Sequence, residues 1–399
     1  MNRIILSLIA TLTLGSATLN AMDLYQDANG QLFSTAAQGR TLIKDKSVSV
    51  FANADKIKLS GVAFLGYRYT NYTHPTATVH NLNQFEIRRA YLELRAHLLD
   101  DPKSYYRITL DVLQQTPNNK STNNGTNSST NGSTLLRAKY IYLYLHNVLA
   151  STSVQLGLVH RPWHDYEQNH SWNFRDISKI LLEQSNGANL SNSADFGFDF
   201  ITKTKYLDTQ IGIYNGEGYN RTQNAAHAMS LEWRATSHLI GGKSEKVSDT
   251  YFDVSFFGQY NKKHRSVTVG SVTEKQDLIF AGLHTIYNKP GFLFSAQYIN
   301  SQNTSHIVNN ISGQAGSGYN TYGEYRIGSK NEYRFLARYD SWTPEKGKKE
   351  QKTIIAGIAW DQNKNVQWIA NVTAIKNQSG SNLEKFNGEA YMLTARVKY

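Results

Sequence analysis

Cysteine is absent from this chain of 399 residues. That excludes a small secreted domain stapled by disulfides, thiolate metal sites and cysteine nucleophiles. Proline is scarce, with 6 residues, among them Pro75, Pro102, Pro290 and Pro344 at the edges of patterned segments. Past residue 21 no apolar run approaches the 18 or so residues of a transmembrane helix. Catalytic signatures are missing too: there is no GxSxG, HExxH, phosphate loop or paired Cys-His spacing. The chain is therefore expected to be no enzyme and to need no cofactor or metal.

What the chain does contain is aromatic and turn-forming. Aromatics make up 12% of it, with 25 Tyr and 28 Gly, while mean hydropathy is −0.49. Tyr, Gly, Asn, Ser and Thr in such numbers favour many strands and turns over a helical core. The N-terminus reads as a secretory signal peptide over residues 1–21, with Arg3 ahead of an apolar stretch from Ile4 to Leu19. Cleavage after Ala21 leaves Leu19 at the usually small third position from the cut, and Ala17 is the other option. Removing residues 1–21 takes away Arg3 and no acid, which moves the formal charge from +11 to +10. The bases are spread along the chain and alternate with apolar residues, unlike the clustered patch of a nucleic-acid binder.

Period-two alternation separates the remaining possibilities for an exported chain. Tyr391, Leu393, Ala395, Val397 and Tyr399 share one face, and Ala390, Met392, Thr394, Arg396 and Lys398 the other. Tyr106-Ile108-Leu110-Val112 alternates likewise with Tyr105-Arg107-Thr109-Asp111, and Tyr333-Phe335-Ala337-Tyr339 with Glu332-Arg334-Leu336-Arg338-Asp340. Such segments match the ~9–11 tilted residues that cross a bilayer. Short turns near 99–103, 147–151, 203–205, 288–291, 328–331 and 361–364, with a longer one at 237–248, alternate with longer polar loops. The loops fall near 72–84, 115–134, 162–193, 215–224, 261–275, 301–317, 342–351 and 377–387. Seven turns and eight loops give an all-β transmembrane antiparallel barrel of about 16 strands over 57–399, with short periplasmic turns and long external loops. Tyr67, Tyr69, Tyr72, Tyr140, Tyr142, Tyr144, Tyr251, Tyr260, Tyr319, Tyr322 and Tyr325 are expected as girdles at the lipid headgroups, although cross-strand pairing also favours Tyr. Residues 22–56 form either a periplasmic tail or a segment folded into the barrel mouth. The loop at 115–134, nearly all Asn, Ser, Thr and Gly, has too few apolar side chains for a core.

On this reading the inner face carries Lys58, Arg68, Arg89, Arg95, Arg107, Lys139, Arg234, Arg326, Arg334, Arg338, Arg396 and Lys398. It also carries Glu93, Asp111, Asp199, Glu232, Asp253, Glu324, Glu332 and Asp340. Charges facing lipid at the bilayer midplane would cost ~2–4 kcal/mol each, which assigns this face to water. Rows of cations attract anions; neutral ion-pair lacing that stiffens the wall is the alternative. The third loop, with Trp163, Asp165, Trp172, Arg175, Asp176, Lys179 and Glu183, either narrows the pore or lies on its rim. His160-Arg161-Pro162-Trp163-His164-Asp165, where a strand ends and this longest loop begins, reads as loop packing rather than a metal site.

The stretches Gln84–Arg95 (QFEIRRAYLELR) and Ser104–Asp111 (SYYRITLD) resemble the phosphate-selective porin O and P family. Similar likenesses occur in Gln155–Pro162 (QLGLVHRP) and Ile213–Gly218 (IYNGEG). The resemblance runs in order through most of 56–399. It implies a sixteen-stranded, usually homotrimeric pore in the outer-membrane lipid, passing small hydrophilic solutes and inorganic anions along lumenal Arg and Lys. It carries over Arg88, Arg89 and Asp111 as anion-binding positions. Two features depart from the family: the terminal aromatic is Tyr399 where Phe is commoner, and no clear lysine cluster is present. A surface adhesin or structural barrel is the alternative function.

Overall fold

The computed structural model describes residues 25–27, 32–33, 37–42, 56–73, 81–97, 99–114, 134–219, 229–244, 246–269, 271–303, 315–345, 348–381 and 383–399. The chain divides into two units, residues 1–54 and 55–399. In the first, β1 (Tyr25–Asp27) pairs antiparallel with both β2 (Leu32–Phe33) and β3 (Arg40–Leu42). The signal segment and the alternating stretch Ser47 to Phe51 lie outside the described residues.

The second unit is a closed barrel of sixteen antiparallel strands. In order they are β4 (Ile57–Tyr72), β5 (Asn83–Ala96), β6 (Tyr105–Gln114), β7 (Thr134–Leu149), β8 (Thr152–His160), β9 (Ala194–Lys203), β10 (Leu207–Tyr214) and β11 (Ser230–Ile240). Then follow β12 (Tyr251–Val269), β13 (Val272–Lys289), β14 (Phe292–Asn303), β15 (Gly316–Ile327), β16 (Tyr333–Pro344), β17 (Gln351–Asp361), β18 (Val366–Asn377) and β19 (Gly388–Lys398). Each pairs with its sequence neighbours, and β19 closes on β4 from Gly388↔Tyr72 to Lys398↔Val62. Tyr399 completes the seam, exchanging backbone hydrogen bonds with Gly61 at 2.9 and 3.1 Å. Closure removes the two free edge strands that an open sheet of this size would present.

The apolar face of each strand points outward: Leu393 is 49% exposed, whereas its neighbour Met392 is 7% exposed and points in. Two bulges shift this alternation. Phe64 pairs with Arg89 and Leu65 with Ile87, so Arg88 is the extra residue and both Arg88 and Arg89 turn inward. Thr109 pairs with Tyr140 and Leu110 with Ala138, which leaves Lys139 as the extra residue of β7. Tyr140, Tyr142 and Tyr144 therefore point into the barrel, not toward headgroups as expected from the sequence. Tyr251 and Tyr322 are inward and buried as well, while Tyr69, Tyr260, Tyr319 and Tyr325 are exposed outside.

The expected loop at 261–275 is mostly strand. β12 and β13 run on as a hairpin that closes at Val269↔Val272, beyond the last rungs shared with β11 and β14. Its Ser-Val-Thr-Val and Ser-Val-Thr segments alternate β-branched residues, which suit an extended backbone. A register irregularity between Asn261 and Arg265, with Lys263 at φ 54°, interrupts the pattern at Lys262-Lys263-His264 and hides the continuation.

Candidate functional site: the lumen and the loop across it

The segment between β8 and β9, residues 161–193, holds the helix α1 (Pro162–His170). Pro162 at the first helical position costs no hydrogen bond, since that N–H has no partner inside a helix. Arg161 just before it is 1% exposed and pairs with Asp195 at 2.6 Å and Glu232 at 3.1 Å, with a further hydrogen bond to Gln259 at 3.0 Å. This buried anchor fixes where the segment leaves the wall. Trp163 then stacks flat on Phe257 of β12, ring centroids 3.7 Å apart. Tyr166 donates to Asp253 of β12, and Glu167 accepts 2.7 Å from Gln297 of β14.

Beyond α1 the segment reaches the opposite strands. Trp172 meets the edge of Tyr322 on β15 and lies under the Arg338 guanidinium of β16. Arg338 also donates to the Lys179 carbonyl at 3.0 Å. Gln184 donates to Asp340 at 2.6 Å, and Asn186 to Thr353 of β17 at 2.9 Å. Arg396 of β19 holds the Asp176 carboxylate at 2.7 and 3.0 Å, and Arg88 of β5 donates to the Ile177 carbonyl at 3.0 Å. Contacts to β5, β12, β14–β17 and β19 place the segment within the barrel and across it.

Its seating is apolar as much as polar. Phe174, Ile180, Leu181 and Leu182 are fully buried in one cluster with Phe257, Leu278, Phe280, Ile299, Leu336 and Ile355 of the wall. Burial of each such side chain is worth roughly 1.5–3 kcal/mol. Burial pushes the Glu167 carboxyl up to about 7 and the His164 imidazole down to about 3, so both favour the neutral form.

Against this segment lies a cavity of about 1460 Å³, lined by residues of β4–β11 and β16–β19. Of the inner-face and third-loop residues selected from the sequence, Glu93, Arg95, Arg107, Lys139, Asp165, Arg175, Arg234, Glu332, Arg334, Arg396 and Lys398 line it. Arg107 pairs with Glu93 at 2.5 Å and donates to the Tyr142 hydroxyl at 3.2 Å. Arg95 shares Glu93, Arg334 pairs with Asp361, and Arg175 with Glu183 at 2.7 Å. Asp165 lies 2.9 Å from His160, so the motif at the head of the loop packs upon itself. Among the described residues no three His, Asp or Glu side chains converge as metal ligands.

The other selected residues lie away from the cavity. Arg89 pairs with the buried Asp111 at 2.5 Å, and Arg137 joins the same carboxylate at 3.0 Å. Arg338 is sealed between Asp340 and the loop, with 0% of its side chain exposed, so it does not face water as its alternation suggested. Arg88 is held between Glu86 and the Ile177 carbonyl, Trp163 is packed on the wall, and Asp176 is fully buried against Arg396. Lys179 is 38% exposed and 3.2 Å from Glu183.

Arg137 carries a part of the site that sequence reasoning passed over, and Arg161, which the sequence placed only in a loop-packing motif, anchors the segment. Arg137 was hidden by the Lys139 bulge, although its spacing of two from Lys139 marks one polar stripe. An arginine directly before Pro162, at the end of an apolar strand, is the signal that Arg161 anchors the loop.

Sixteen strands in one closed sheet, short connections on one rim, and a long segment folded back inside decide the architecture. The fold is that of a bacterial outer-membrane porin. An anion-selective porin from Comamonas acidovorans superposes with a TM-score of 0.60 at 12% identity, covering 86% of this chain and 98% of that one. OmpF of Salmonella typhi, solved with daunomycin, gives 0.58 at 13% identity over 87% and 99%. A loop-deletion form of OmpT, an outer membrane protein of Vibrio cholerae, gives 0.56 at 11% identity over 86% and 99%. No protein-family model matches the chain, and no curated protein matches it in sequence. The closed barrel, apolar outside, is built for the outer membrane.

Proposed function

We propose that the chain is a porin, a water-filled channel for passive diffusion of small hydrophilic solutes that prefers anions, phosphate and other oxyanions among them. One observation carries the sign of the preference. The cavity is lined by eleven Lys and Arg side chains against five Asp and Glu. Several arginines are neutralised by a carboxylate, but Lys139 is not: its ammonium sits 4.4 Å over Tyr91 and 5.1 Å over Tyr140, with no carboxylate partner among the described residues. An excess of fixed positive charge in a low-dielectric wall raises the local concentration of anions. The segment 161–193 acts in this reading as the constriction, and nothing in the cycle of passage requires catalysis. The assembly proposed is a homotrimer; one solved form of Vibrio cholerae OmpT is a trimer. Reversal potentials of the purified protein in a KCl gradient test the reading. A chloride-selective potential is expected; a cation-selective one, or no channel at all, overturns it.

A further inference from the structure

The wall beside the cavity has more aromatic surface than an inorganic ion needs. β6 and β7 pair Thr109↔Tyr140, Arg107↔Tyr142 and Tyr105↔Tyr144, and β5 adds Arg95 opposite Arg107. These positions face inward two residues apart, so the rungs descend toward the short-turn rim in steps of about 7 Å. Cations and rings interleave in depth. Lys139 lies over Tyr91 and Tyr140, Arg107 is 4.9 Å over Tyr140 and 5.7 Å from Tyr142, and Arg95 is 5.1 Å over Tyr105. The lowest rung is the most open: Tyr105 and Tyr144 stack at 4.9 Å and 24°, both are half-buried, and the Arg95 side chain is 39% exposed. A wall that only attracts chloride or phosphate needs the charges and not the rings, and the part of each ring that still meets water is otherwise unfavourable.

We infer that this wall binds small planar aromatic carboxylates of the benzoate class, with the ring against Tyr105 and Tyr144 and the carboxylate on the terminal amino groups of Arg95, whose Nε is held by Glu93. The chemistry fits on both sides of the ion. A guanidinium offers paired donors to a carboxylate. A second aromatic ring gains from offset or edge contact with tyrosine beyond the area it buries. The inference rests on the porin reading and narrows it to a class of organic solute.

The test is block of the KCl current through the purified, full-length protein in a planar bilayer. Potassium benzoate is compared with potassium cyclohexanecarboxylate, which has the same charge and a similar bulk but no π system. Benzoate should half-block at a concentration about threefold to tenfold lower, the range set by aromatic pair energies. Tyr105→Leu with Tyr144→Leu should bring the two blockers together, whereas Tyr105→Phe with Tyr144→Phe should keep them apart. Arg95→Gln should weaken both. Equal block by the two acids in the unaltered protein overturns the inference and needs no variant to be read. A benzoate advantage that survives the leucine pair overturns it too. A protein that forms no channel removes the porin reading itself, and this inference with it.

Discussion

The inner wall of the barrel has two sides that obey one rule and serve different ends. On β5–β7 the inward residues include Tyr91, Glu93, Arg95, Arg107, Tyr142 and Tyr144, and these border the cavity. On β13–β17 the inward residues include Leu278, Phe280, Leu293, Ile299, Leu336 and Ile355, and they form a core with segment 161–193. Alternation decides which residues point inward on both sides, but not what they meet there. Water meets the first set and protein meets the second, although Arg334 and Asp361, at the short-turn ends of β16 and β17, border the cavity as well. β13 consequently shows apolar residues on both faces, with Ile279 and Leu283 exposed outside and Leu278 and Phe280 buried inside. A barrel strand of that kind marks where a loop lies against the wall.

Removing the loop is the strongest way to break this contrast. Deleting residues 165–189, with a short Gly-Ser link in their place, should raise single-channel conductance, since the segment that crosses the lumen is removed. It should also expose the apolar side, a patch large enough to bind a hydrophobic dye. Unchanged conductance with no gain in dye fluorescence would mean that the loop fills no space the solutes use.

A finer cut separates two arginines that the sequence treats alike. Arg338 is buried against Asp340 and the loop, so Arg338→Ala leaves a carboxylate buried without its partner, a loss of about 3–5 kcal/mol. Thermal unfolding in detergent should register it, with little movement of the reversal potential. Arg107 borders the cavity, so Arg107→Ala should shift the reversal potential toward cations. If Arg338→Ala moves selectivity as far as Arg107→Ala does, the two sides of the wall share one field and the contrast fails.

How much of this was legible in the sequence follows from what alternation can report. β19, β6 and β16 have clean two-residue periods, and their faces, partners and closure at Tyr399 all follow from it. β7 resisted because one extra residue at Lys139 reverses the pattern midway, and Tyr140, Tyr142 and Tyr144 then appear to face lipid. The adjacent pair Arg88-Arg89, which a regular strand would split between water and lipid, is explained by the matching bulge in β5. The candidate site was less legible than the barrel. Its pairings, such as Arg161 with Asp195 and Glu232, join residues 34 to 71 positions apart, and no local spacing encodes them.

The smallest expected effect lies where the two sides meet, at Glu167 on α1. This carboxyl is 2% exposed, accepts from Gln297 through one oxygen, and faces Arg338 and Asp340 of β16. Burial, opposed by Arg338 and reinforced by Asp340, pushes it up to about 7 from an ordinary value of 4.5. A raised value in the seated loop means that seating favours the neutral acid. That contribution is complete below the ordinary value and is lost as pH rises through about 7. Its full size is on the order of 3 kcal/mol, since each tenfold weakening of the acid corresponds to about 1.4 kcal/mol. The loop should thus sit more firmly at pH 5 than at pH 8. Open-channel current noise and protease cleavage within 171–193 should both increase across that interval. Glu167→Gln keeps the shape and the neutral state, so it should hold the loop firm at both pH values. If the glutamine variant loosens with pH as the unaltered chain does, a different group governs the seating, and the join between the two sides is not at Glu167.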